Sequence, residues 1–213
     1  DSLYVDLEHS ALSLDTTAML CHSAWEAGVT PLVRVPDHDS ATICRVLDSG
    51  AMGIIAPHVD TPIQAQRLVR ALLYPPLGMR SVASGQALLH YRSLPAHEAC
   101  AWLNAQMFLA VMIENPLAQD TLDAIAAVPG VDMLMLGVHD LSTQMGCAGQ
   151  ADHPEVQEVL SRVLRTCQRH GRYLGLGGVA GQDHLLKQWI ERGARFVSLG
   201  SDLQFLIKGI GQS

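Results

Sequence analysis

Lysine is almost missing from this sequence of 213 residues: Lys187 and Lys208 are the only two, both late in the chain. Each falls in a segment with helical spacing, where a lysine is ordinarily a solvated surface residue. Schiff-base chemistry needs a desolvated amine in a pocket, so covalent catalysis by lysine is not expected. Cysteine is also sparse. Cys21, Cys44, Cys100, Cys147 and Cys167 are odd in number, far apart and never in a CxxC pair. That excludes a zinc knuckle, argues against a disulfide framework and fits a reducing cytoplasm. No run approaches the ~18–20 apolar residues of a membrane span. No basic segment followed by an apolar one opens the sequence, so no secretory signal is expected within it. No Lys/Arg cluster occurs either, and 14 Lys+Arg against 21 Asp+Glu leave a formal net charge of −7. A nucleic-acid backbone or an anionic membrane is therefore a poor partner.

What is present is a chain that is 48% apolar and 16% charged, the composition of a well-buried globular protein. Its length suits a single domain over residues 1–213. Short apolar runs recur at Leu3–Asp6, Pro31–Val35, Gly53–Pro57, Phe108–Glu114, Asp132–Gly137, Tyr173–Gly177 and Phe196–Gly200. Between them lie helical segments such as Asp39–Ser49, Pro62–Leu73, Ala118–Ala127, Pro154–His170 and Gly181–Arg192. Runs such as VDMLML and FLAVMI are apolar on both faces, as parallel strands covered by helices must be. Alternation over the whole length predicts an α/β fold. Seven units predict a (β/α)₈ TIM barrel with its first βα unit ahead of residue 1, because the chain opens inside a strand. An open doubly wound sheet would need a glycine-rich loop after its first strand, and Leu7-Glu8-His9-Ser10 contains no glycine. One interruption, Tyr74 to Leu103, reads as a long insertion on a βα loop holding two short helices.

In barrels the chemistry sits where strands end, so polar residues terminating apolar runs are the informative ones. Asp6, Glu8 and His9 end the first strand, Arg34 the second and Glu114 the fourth; His58 follows the third, and His139-Asp140 follow the fifth. Singly, each has an ordinary structural explanation: a packed histidine, a helix-capping Asp140 or a solvated Asp48. Together they converge on one rim. Glu114 and Asp140 end adjacent strands, and two facing carboxylates repel unless one protonates or a cation joins them. A hard divalent ion, Mg²⁺ or Mn²⁺, accepts one or two carboxylates and fills its other positions with water or substrate oxygens. His9, backed by Asp48 or Asp6, suits a general base, and Arg34 suits a fork for a carboxylate or developing oxyanion.

The segments Val5-Asp6-Leu7-Glu8-His9, Leu32-Val33-Arg34-Val35-Pro36 and Leu47-Asp48-Ser49-Gly50-Ala51 resemble the HpcH/HpaI aldolase family. So do Tyr74-Pro75-Pro76-Leu77-Gly78-Met79-Arg80, Met112-Ile113-Glu114, Val128-Pro129-Gly130-Val131-Asp132 and Asp140-Leu141-Ser142. The resemblance runs the length of the chain, and it implies a final helix that continues past Ser213. It implies a class II pyruvate aldolase that reversibly cleaves a 4-hydroxy-2-oxo acid to pyruvate and an aldehyde through a pyruvate enolate. It further implies a divalent metal (Mg²⁺ or Mn²⁺, or Co²⁺) on Glu114 and Asp140, and His9 as base, made more basic by Asp48. Arg34 would steady the substrate oxygens, and the chain would assemble as a trimer of dimers with exchanged C-terminal helices. Three positions depart from the family pattern: Met112 where glutamine is frequent, Gly137-Val138-His139-Asp140 where Gly-Pro-x-Asp is frequent, and Ser81 after Arg80. Met112 and His139 are thus candidate substrate contacts beside Arg34 and Asp140. A citrate- or malyl-CoA-type lyase on the same barrel would want a basic surface for nucleotide phosphates, which is lacking; a non-catalytic descendant is the other alternative.

Overall fold

The computed structural model describes residues 1–211, the side chain of Leu117 excepted. Seven strands run parallel and lie side by side in chain order. They are β1 (Ser2–Asp6), β2 (Thr30–Arg34), β3 (Gly53–Ala56), β4 (Phe108–Ile113), β5 (Met133–Gly137), β6 (Tyr173–Gly177) and β7 (Phe196–Val197). A parallel neighbour can be reached only by a crossover, and helices supply each one. They are α1 (Leu14–Glu26), α2 (Ser40–Asp48), α3 (Pro62–Leu72), α4 (Ala96–Gln106), α5 (Leu122–Ala126), α6 (Val138–Gln144), α7 (Pro154–His170) and α8 (Asp183–Arg192), with α9 (Asp202–Ile210) after β7. Their starts are written locally. Ser13, Asp39, Thr61 and Ser201 each accept a hydrogen bond from an amide in the first helical turn. The helix α7 repeats Val156, Val159, Leu160, Val163, Leu164 and Cys167 as one buried stripe and ends on Gly171 at φ +63°.

Successive strand residues face opposite sides. One set, including Val5, Val33, Ile54, Leu109, Val111, Ile113, Leu134, Leu136, Leu174 and Leu176, packs under the helices in the main core. The other set, Leu32, Ile55, Ala110, Met112, Met133 and Met135 with the partly buried Tyr4, Phe108 and Phe196, fills the concave interior of the curled sheet. Facing these methionines, β6 offers Gly175 and Gly177. A Cβ at either would come within 2.8–2.9 Å of Met133 Sδ or Met135 Cε, so the thioethers use space that only glycine leaves.

The α/β alternation is present, as a seven-stranded parallel partial barrel in which β1 and β7 each have one strand neighbour among the described residues. The Tyr74–Leu103 insertion, however, is not on a βα loop. It follows α3 and precedes β4, so it lies at the end where strands begin, opposite the rim; it carries a 3₁₀ turn (Ala87–Leu89) and most of α4. The helix expected over Ala118–Ala127 is split into a 3₁₀ turn (Pro116–Asp120) and α5. The break falls at Thr121, whose hydroxyl donates to Asp60 O at 2.6 Å and ties the chain to the start of α3. The last strand stops at Val197, shorter than its apolar run, and Ser201 then caps α9.

Candidate active site

Following the inward-facing parity to the C-terminal ends of the strands leads from the methionine interior to a charged rim. In β1 it runs from Tyr4 to Asp6, in β2 from Leu32 to Arg34, and in β4 from Met112 to Glu114 just past the strand. Arg34 is held by Asp6 in a bidentate fork, Nε to Oδ1 at 2.8 Å and Nη2 to Oδ2 at 2.6 Å. Its Nη1 stands 2.9 Å from Glu8 Oε2, an ion pair without hydrogen-bond alignment, and its guanidinium lies 5.6 Å from the Tyr4 ring centroid. Burial works against the Arg34 charge, but the Asp6 hydrogen bonds and the surrounding negative charges outweigh it and raise its pKa. Burial likewise pushes the Asp6 carboxyl up, yet the Arg34 bonds and charge and the amides of Glu8 and His9 bring it below the ordinary aspartate value. Asp6 Oδ1 accepts those amides at 3.0 and 3.3 Å and so fixes the turn that presents Glu8 and His9.

Glu114 is 1% exposed. Its Oε2 accepts the His58 amide at 3.0 Å, and His58 Nδ1 lies 3.2 Å from the same oxygen. The other ring nitrogen of His58 is 3.1 Å from Glu8 Oε1; both ring contacts lack hydrogen-bond alignment, and they set one imidazole between two carboxylates. Burial raises the Glu114 pKa; the His58 amide and charge oppose this, and the negative charges of Asp140 and Glu8 add to it. Asp140 opens α6 in its first turn, directly after β5, and its carboxylate makes no hydrogen bond or ion pair among the described residues. It is not the helix cap: the N-cap is Gly137, with no side-chain cap bond. His139 beside it is exposed.

Of the residues singled out in the sequence, Arg34, Glu114 and Asp140 share the rim. His9 stands beyond β1 with a side chain 66% exposed and Nε2 3.8 Å from Glu8 Oε2. Met112 lies one layer below Glu114, 3% exposed within the methionine interior. Asp48 is elsewhere. It sits in the last turn of α2, next to the start of β3, and accepts from Arg80 Nη2 at 2.7 Å and Gln86 Nε2 at 3.2 Å. Arg80 is itself buried and lies 4.6 Å from the Tyr74 ring centroid. His9 and Asp48 therefore occupy opposite ends of the sheet within one chain. Glu8 and His58, the residues that join Arg34 to Glu114, carry only a weak signal in the sequence, as polar side chains after strand ends.

Among the described residues no three His, Cys, Asp or Glu converge as a ready-made metal cage. The pair Glu114 and Asp140 nevertheless fits a hard divalent ion, which uses one or two protein carboxylates. Glu114 is buried, which raises its pKa, and the Asp140 carboxylate has no hydrogen-bond or ion-pair partner among the described residues.

Polar side chains gathered at the C-terminal rim of a parallel α/β barrel are the layout of a barrel enzyme. The HpcH/HpaI aldolase/citrate lyase family profile matches residues 1–209, and the chain belongs to that family. It is 40% identical to the 4-hydroxy-4-methyl-2-oxoglutarate aldolase tasA of Hapsidospora irregularis, over 98% of this chain and 78% of that protein. It is 34% identical to the 5-keto-4-deoxy-D-glucarate aldolase of Salmonella arizonae, over 95% and 78% respectively. The crystal structure of an HpcH/HpaI aldolase from Desulfitobacterium hafniense superposes with a TM-score of 0.90 at 33% identity, covering all of this chain and 83% of that one. The protein is a carbon–carbon lyase of the aldolase type.

Proposed function

We propose that this protein cleaves a 4-hydroxy-2-oxo acid to pyruvate and a carbonyl product, reversibly, at the rim between β1, β2, β4 and α6. The observation that carries this reading is Glu114, a buried carboxylate just past β4 that feels the charge of Asp140 and is linked through His58 and Glu8 to Arg34. Glu114 and Asp140 would hold Mg²⁺, Mn²⁺ or Co²⁺, which when bound supplies the positive charge that a developing 2-oxo acid enolate requires. Arg34, held in place by Asp6 and Glu8, orients the substrate carboxylate or oxyanion. His9 takes the proton of the 4-hydroxyl; the C3–C4 bond breaks, its electron pair passes to the pyruvate enolate, and C4 leaves as a carbonyl. Protonation at C3 then completes pyruvate. The two curated relatives differ in the carbon they name, a tertiary 4-hydroxy-4-methyl centre in one and a sugar acid in the other. The apolar interior containing Met112 beneath Glu114 favours acceptors with an apolar group over polyhydroxylated ones, and the exposed His139 is a further candidate contact.

A complete eight-stranded barrel, working as a homo-oligomer in the cytoplasm, is part of the same proposal. The Asp48 that family resemblance pairs with His9 lies at the far end of the sheet, so only Asp48 of another copy can serve it. The apolar α9 residues Leu203, Phe205, Leu206, Ile207 and Ile210 are all exposed in the single chain and suit burial in a trimer of dimers.

Pyruvate release from a panel of 4-hydroxy-2-oxo acids, after chelation and after re-addition of Mg²⁺, Mn²⁺ or Co²⁺, tests the reading. Activity should return only with metal, and His9→Ala should lose about 10²–10⁴-fold in rate while keeping metal affinity. Full activity in chelator, or a borohydride-trapped pyruvate adduct on Lys187 or Lys208, would overturn it.

A further inference from the structure

His58 follows Pro57 at the end of β3 with φ +54°, a left-handed conformation that costs a non-glycine residue energy and persists where surroundings enforce it. In that conformation both its backbone N–H and its ring turn to one oxygen, Glu114 Oε2, at 3.0 and 3.2 Å. The ring goes on to Glu8 Oε1 at 3.1 Å, although its side chain is 60% exposed and has water as an alternative partner. The opposite Glu114 oxygen, Oε1, lies against the end of β5: a Cβ built on Gly137 would stand 2.5 Å from it. Asp140 opens the helix that starts there. Tying down Oε2 therefore aims Oε1 at the β5–α6 junction. The same ring joins Glu114, through Glu8, to Arg34 and Asp6.

We propose that His58 is a positioning residue: by pinning Glu114 Oε2 and bracing it on Glu8, it selects the carboxylate orientation in which Glu114 and Asp140 share one divalent ion. The inference rests on the aldolase reading above, in which that pair holds the metal. Its content is that a polar side chain is needed at position 58, where packing bulk alone does not suffice.

The test is Mn²⁺ binding by electron paramagnetic resonance, without substrate, on the intact protein and on His58→Asn, His58→Leu, Glu8→Gln and Glu114→Gln, each checked for native circular dichroism. His58→Leu should weaken Mn²⁺ binding about 10-fold. His58→Asn, which keeps a donor and tolerates φ > 0, should recover part of that loss. In the Glu8→Gln background the His58→Leu effect should shrink, because the brace is already gone. Equal losses in the Leu and Asn variants would mark a packing role and overturn the proposal. So would unchanged or tighter Mn²⁺ binding in His58→Leu while Glu114→Gln abolishes it. Normal Mn²⁺ binding by Glu114→Gln would instead sink the metal assignment beneath it.

Discussion

Asp6 ties the rim together, because one carboxylate serves the Arg34 fork and the amides of Glu8 and His9. Asp6→Asn removes the charge from these bonds and should destabilise the protein by roughly 1.5–3 kcal/mol at neutral pH, measured by urea unfolding. The sign with pH follows from the lowered Asp6 pKa. Its contribution is present above the ordinary aspartate value of 3.8 and is lost as pH falls through the depressed folded value. The gap between wild type and Asp6→Asn should thus close on acidification below about pH 4. Glu114 has the opposite sign. Its pKa is raised, so the stability present below the ordinary value of 4.5 is lost as pH rises through the folded value. Metal-free Glu114→Gln should melt at or above the wild-type temperature at pH 7 and lose that advantage toward pH 4, while Mn²⁺ no longer raises its melting point. Arg34, Glu114 and Asp140 were legible as polar ends of apolar runs. Glu8 and His58 were legible in the same way as positions, but not their role in joining Arg34 to Glu114, which depends on a turn fixed by Asp6 and on one left-handed residue.

The strand–helix alternation was readable because buried parallel strands leave continuous apolar runs, and β6 and α7 fall on the expected residues. The boundaries that failed did so for tertiary reasons: the Thr121 hydroxyl drawn to Asp60 O splits one helix, and the cap of α9 cuts β7 short. The side of the sheet on which the Tyr74–Leu103 insertion lies depends on its coming after α3, on the return to β4. At the junction of β5 and α6, Gly137 has φ −84°, so alanine there meets no backbone penalty. Its Cβ would nevertheless come within 2.5 Å of Glu114 Oε1. Gly137→Ala should cost about 1–3 kcal/mol from overpacking in a urea titration and lower Mn²⁺ affinity out of proportion to that loss. A stability change with unaltered Mn²⁺ affinity would separate the junction from the site.

For the molecule as a whole, the exposed face of α9 and the separation of Asp48 from His9 lead to the same expectation. Light scattering at micromolar concentration should give an oligomer, and Phe205→Asp with Leu206→Asp should dissociate it and reduce activity. A wild-type monomer with full activity would contradict the assembly and the Asp48 role together.

The strict neighbour order of the strands has a kinetic meaning. Every strand pairs only with those one βα unit away in sequence, so no pairing within the described sheet has to close a loop longer than one crossover. Such a chain folds by adding units to a nucleus, and it opens in the reverse order, from the sides inward. Amide hydrogen exchange on the isolated chain should therefore be slowest in β4 and β5 and progressively faster toward β1 and β7. Within the described sheet Glu114 and Asp140 follow the central strands β4 and β5, whereas Asp6 and His9 belong to β1 and the turn after it. In the closed barrel proposed above β1 gains a second neighbour, so exchange at β1 should slow most on assembly while exchange at β4 and β5 changes least.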